Sequence, residues 1–218
     1  MQGDTSRYVA GMTSWLSRLL GADTPDTGTR DTGTRRMVRG IPVELRNSRA
    51  DIADTEVLVR LDEALALIAQ YQPIRFRHLQ RDVRAIRVER FPTRGAFLPA
   101  ERVVLTELTF LARRDISAAP VASSILHEGV HARVHGFRAR VMGGFPAGAD
   151  MAREERLCRR AELTFGRVLP VDLGVPVIVR AEQSLGLSDQ EVAPVVDWGL
   201  ARERQDAADR DGTSGSRS

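Results

Sequence analysis

Residues 123–136 read SSILHEGVHARVHG and carry three of the four histidines in a chain of 218 residues. On an α-helix, residues four apart lie on one face, a turn above one another. His127 and His131 therefore point the same way, and their imidazoles can grip one metal ion. Glu128 follows His127 directly. It cannot sit beside both rings as a third ligand, but it can lean towards a water on the same ion. This is the H-E-x-x-H arrangement, whose logic is two zinc ligands and one general base. Zinc acidifies a bound water and polarises a carbonyl. Glu128 in that position takes the proton and returns it to a leaving amine.

The flanking residues predict a helix over 120–135, with Pro120 suited to its start and Gly136 to its stop. Ala122, Leu126 and Val130 recur every four residues beside the histidine row, so the helix is expected to be partly buried. Buried imidazoles need partners, and a metal satisfies two at once. The alternative is a pair of ordinary hydrogen-bonded histidines with Glu128 at the surface. His135 lies two turns from His127, about 12 Å along the axis, too far to share the ion. It is expected as a cap-region, substrate-side or solvated residue. His78 has no ligand spacing to any neighbour.

Zinc in a hydrolytic site takes a third protein ligand and keeps one position open. A second helix, expected over residues 153–166, puts Cys158, Ala161, Glu162 and Phe165 on one face. A glutamate amid an apolar stripe is expensive unless paired or metal-bound, which makes Glu162 the first candidate. Glu155, seven residues earlier at nearly the same angle, is the second candidate, or an acceptor for a ligand histidine. A salt bridge to an arginine is the alternative for either. Cys158 could ligate as a thiolate, but reads better as a small buried apolar residue.

Around these helices the pattern is mixed. Residues 41–45 (IPVEL) suit a short strand, and a helix is under way by about Arg60 and ends at Pro73. DVRAIRVERF and TRGAFLPAERVVLTELTFLA suggest further strands, the strongest over 102–110. Pro170 and Pro176 suggest a loop, and SDQE at 188–191 is a capping box opening a last helix to about Arg204. The expected class is α+β, a small, mostly antiparallel sheet packed on helices. Residues 1–38 are expected as a disordered segment and linker, 39–204 as the domain and 205–218 as a disordered tail.

With 42% hydrophobic residues the chain can build a core. The formal charge is only +3, yet the pI is near 9.9 because there is no lysine and arginine stays charged to high pH. Arginines are interleaved with acids and aromatics are scarce, so a nucleic-acid partner is not expected. A single cysteine excludes an internal disulfide and a Cys-based zinc knuckle. The amphipathic patch at 12–20 is too short to span a bilayer, although residues 8–20 could lie on a membrane surface. A cytoplasmic protein fits best.

HEGVH at 127–131, followed by a glutamate on a later helix, resembles the gluzincin branch of the HExxH zinc metallopeptidases. The likeness covers about residues 83–166. It implies a zincin-like fold, Zn2+ held by His127, His131 and Glu162, Glu128 as the base, and a peptide or protein substrate. It also implies an edge strand above the helix, supplied by TRGAFLPAERV, on which an extended peptide pairs. The well-known members carry an aspartate four residues after the ligand glutamate. Here that position is Gly166 after Glu162 and Arg159 after Glu155. Nor does the longer metzincin extension fit, since Val134 and Phe137 replace its glycine and histidine. His135, Arg133 and an arginine of the second helix are the candidates for steadying an oxyanion. The alternative within this likeness is a zincin-like protein whose zinc serves a non-catalytic, partner-binding role.

Overall fold

The computed structural model describes residues 33–141 and 148–193, with 199–201, 203–205 and 207. The patch at 12–20 and residues 208–218 of the expected tail lie outside the described residues. Strand β1 (Thr34–Val38) turns into β2 (Ile41–Leu45) through Arg39 and Gly40. Both central residues have positive φ, 47° and 77°, so the turn is the two-residue kind that matches strand twist and favours glycine second. The sheet thus begins five residues before the boundary expected at Arg39.

Helices α1 (Asp54–Tyr71) and α2 (Pro73–Asp82) lead to β3 (Ala85–Glu89), β4 (Gly95–Leu98) and β5 (Val103–Glu107). The strand order is β1-β2-β3-β5-β4. The two outer pairings are antiparallel, with five and four registered pairs, and the two inner ones parallel, with three and five. The sheet is therefore mixed, antiparallel by a narrow margin, and β4 is an edge strand. Alternation puts Ile41, Val43, Leu45, Ile86, Val88 and Val104 in the core shared with the helices. The opposite face carries the Glu44–Arg87–Glu101 ion pairs and a small cluster around Phe91 and Leu105.

Strand β5 ends sooner than residue 110. The Glu107 carboxylate accepts from the Phe110 amide and opens a one-turn helix, α3 (Leu108–Ala112). Then come α4 (Ala118–Val141), α5 (Gly148–Val168), α6 (Val171–Leu185) and α7 (Asp189–Val192). The capping box at Ser188 and Glu191 forms as the sequence suggests.

Helix α4 is longer than its expected span, and Gly136 lies within it. It touches α1, α2, α5, α6, β4 and β5, and every residue from Val121 to Gly129 is buried. This explains its even spread of apolar residues, because a helix covered on all sides needs no polar stripe.

The expected loop over Pro170 and Pro176 is instead helix α6. Pro170 precedes it, and Pro176 sits inside on the exposed face, where it costs the helix one hydrogen bond. Tertiary packing overrides the local signal, since Gly174, Val177 and Ala181 form a buried face against α5. A β-carbon added to Gly174 would lie 2.3 Å from the carbonyl oxygen of Gly166, and backbone cannot step aside cheaply. Gly174→Ala is therefore expected to destabilise the fold by about 1–3 kcal/mol through overpacking. Helix propensity alone predicts a gain of about 1 kcal/mol. Chemical denaturation with an unchanged m-value checks the sign.

Candidate metal centre

The His127-Glu128-x-x-His131 cluster stands in the buried middle of α4, and its geometry can hold a metal ion. The Nε2 atoms of His127 and His131 face each other at 3.2 Å. Two nitrogens on one tetrahedral zinc, each about 2.05 Å from it, stand about 3.3 Å apart. The histidine pair therefore already has the spacing an ion imposes.

Each ring is held from behind. His127 donates from Nδ1 to Glu162 Oε1 at 2.6 Å, and His131 from Nδ1 to Glu154 Oε1 at 2.7 Å. Such contacts select the tautomer that turns Nε2 towards an ion and raise its basicity. Glu162 is buried on the face predicted for it with Cys158, Ala161 and Phe165. It meets the back of the His127 ring, away from the gap between the two Nε2 atoms. Its other oxygen accepts from Ser123 at 3.0 Å, and Arg159 donates to Oε1 at 2.7 Å.

Glu155 occupies the front. One carboxylate oxygen lies 3.2 Å from Nε2 of His127 and the other 3.1 Å from Nε2 of His131. Cys158, fully buried one turn on, completes a set with the two histidines in which one ligand atom from each lies within 4.8 Å of the others.

The electrostatics favour a cation here. Burial opposes charge on both imidazoles, but Cys158, Glu155 and the carboxylates behind the rings outweigh it and hold both pKa values well above the ordinary histidine range. Burial likewise opposes ionisation of Glu154 and Glu155, yet their bonds to the histidines hold both carboxyls well below the usual range. Arg138 compensates part of Glu154. Four carboxylates thus surround two rings, and positive charge between the Nε2 atoms is stabilised whether protons or a metal ion supply it.

Glu128 is different. Burial pushes its carboxyl up, against the pull of His127 and His131. It points to the sheet edge, where a β-carbon on Gly95 of β4 would stand 3.3 Å from its Oε1. A buried glutamate with a raised pKa beside the histidines is suited to accepting a proton.

Of the other residues singled out in the sequence, His135 Nε2 lies 3.2 Å from Glu154 Oε1, and its ring is 5.7 Å from that of Phe97. Arg133 reaches towards Asp82 at 3.7 Å. His78 lies on α2 and is not part of the histidine cluster that could hold a metal ion among the described residues. The residue missed in the sequence is Glu154. It stands one turn before Cys158 on the stripe already traced through Cys158 and Glu162, so extending that stripe upstream by four residues would have found it.

Among the described residues no helix is long and apolar enough to cross a membrane. No family model, curated protein or solved structure matches the chain.

Proposed function

We propose that this protein is a zinc-dependent hydrolase of peptide bonds, of the gluzincin kind, acting on a peptide or protein substrate in the cytoplasm. The supporting observation is the front of the histidine pair, where the Glu155 carboxylate spans two Nε2 atoms that are themselves 3.2 Å apart. In this reading His127, His131 and Glu155 hold the zinc. Glu162, the first candidate from sequence, instead holds His127 in orientation, as Glu154 holds His131. Zinc bound there supplies Lewis-acid polarisation of a carbonyl and an acidified water.

The chain's own residues do the remainder. Glu128 receives the water's proton and hands it to the departing amine. Its burial keeps it basic enough to take the proton and acidic enough to release it. An extended peptide pairs with the outer edge of β4, which has no strand partner among the described residues and runs beside α4 from Gly95 near Glu128 to Phe97 near His135. His135, at that substrate side, is the favoured candidate for steadying the developing oxyanion. Zinc content and peptide hydrolysis, measured together in the parent and in Glu128→Gln, test the whole reading.

One observation favours a second reading. Cys158 offers a sulfur close to both imidazoles. A set of two histidines, one glutamate and this cysteine would close the fourth position, giving a structural zinc in a partner-binding protein. Cobalt substitution separates the two. An open site of two histidines and a glutamate is expected to give cobalt d–d bands without a sulfur-to-metal charge-transfer band. A thiolate band that disappears in Cys158→Ser would favour the closed site.

A further inference from the structure

Three buried polar side chains meet where β4 passes α4. A β-carbon on Gly95 would lie 3.1 Å from Ser124 Oγ and 3.3 Å from Glu128 Oε1, so both oxygens stand over the same bare glycine. Ser124 is one turn before Glu128 on α4, and both are buried. Thr106 of β5 stands opposite Gly95 in the antiparallel register. Residues directly opposite one another share a face of the sheet, and Thr106 follows the helix-facing Val104 by two residues, so it points to the same spot. It is 1% exposed, and its hydroxyl has no hydrogen bond among the described residues. No hydrogen bond engages Ser124 Oγ or the Glu128 carboxylate among the described residues either.

A hydroxyl inside a helix readily bonds back to the carbonyl one turn earlier, as Thr164 does to Arg160 at 2.8 Å and Ser184 to Arg180 at 3.0 Å. Ser123 instead donates to Glu162. Ser124 does neither, although a buried hydroxyl left unpaired is unfavourable. The side-chain acceptor beside it over Gly95 is the base, and Thr106 is a donor on the same spot. Rotation about the side-chain bonds joins the three, and the hydrogen bonds of a catalytic group are often long in the free enzyme and tighten with substrate. We infer that Ser124 is the positioning residue of the base. Its hydroxyl donates to one oxygen of the Glu128 carboxylate and accepts from Thr106, so that the other carboxylate oxygen is held towards the attacking water. A long side chain aligned in advance loses no rotamer freedom at the moment of reaction.

This inference rests on the hydrolase reading. The test is steady-state hydrolysis, by the zinc-loaded full chain, of a peptide found by screening a broad library with the parent. Ser124→Ala is expected to lower kcat about tenfold or more, the worth of a hydrogen bond to a charged group, with KM and zinc content unchanged. The same substitution in Glu128→Gln is expected to change kcat less than about twofold, because residues that act as a unit are not additive. Thr106→Val keeps the shape and removes the hydroxyl. It is expected to lower kcat in the parent and to add nothing in Ser124→Ala. A parental kcat in Ser124→Ala, or an equal fall in the Glu128→Gln background, would overturn the positioning role and leave the hydrolase reading standing. A parental kcat in Thr106→Val would remove Thr106 from the chain of donors. No cleavage of any library peptide by the parent would overturn the hydrolase reading and the role of Ser124 with it.

Discussion

Glu128→Gln is expected to retain zinc at near-parental stoichiometry and to lose about 10²–10⁴-fold in kcat, the usual contribution of a positioned base. The glutamine keeps the volume of a buried side chain packed against Gly95, so the fold and the substrate edge are preserved. No hydrogen bond ties the Glu128 carboxylate to either ring among the described residues, whereas Glu154, Glu155 and Glu162 all contact them. Removing its charge therefore leaves the histidines as oriented as before. Peptide hydrolysis surviving at the parental rate would remove Glu128 as the base. Loss of zinc would show instead that its charge helps hold the ion. Zinc in both proteins with no cleavage of a broad peptide library by the parent would favour the structural role.

The second large effect separates the two acidic candidates on α5. Glu155→Ala is expected to lower zinc affinity well beyond the about 10–100-fold typical of losing an outer hydrogen-bond partner, whereas Glu162→Ala falls within that range. Glu155 spans both Nε2 atoms, so its loss removes a donor from the ion itself. Glu162 acts at Nδ1 of His127 alone, so its loss frees the ring and strands Arg159 and Ser123. Glu162→Ala should also destabilise the protein more, because it leaves buried polar partners unsatisfied. Competition with a chromophoric chelator measures the affinities, and thermal unfolding of the metal-free variants measures the structural cost. The reverse order of affinities would return Glu162 to the ligand position.

The His127-Glu128-x-x-His131 cluster was readable because it is local. His127, Glu128 and His131 lie within one helical turn and a half, and the four-residue period alone aims the two rings together. The burial of Cys158, Ala161, Glu162 and Phe165 was equally legible, since a helix preserves the angular order of its residues whatever it packs against. Less legible were α2, whose start at Pro73 reads only as the end of α1, and α6, whose Pro176 suggests a loop. In α6 the deciding term is a close helix–helix approach at Gly174, which no window of sequence contains.

By itself, then, the sequence determined that His127 and His131 share one side of α4, that Cys158, Ala161, Glu162 and Phe165 form the inward face of α5, and that buried imidazoles and carboxylates need partners. Only the tertiary structure decided how those faces meet. Glu155 and Glu162 sit seven residues apart at nearly the same angle, so their own helix cannot distinguish them. The level at which α5 crosses α4 brings Glu155 to the front of the histidine pair, Glu162 behind His127 and Glu154 behind His131. That offset along the helix axes is set by the packing of α5 between α4 and α6, a long-range contact that local periodicity does not encode.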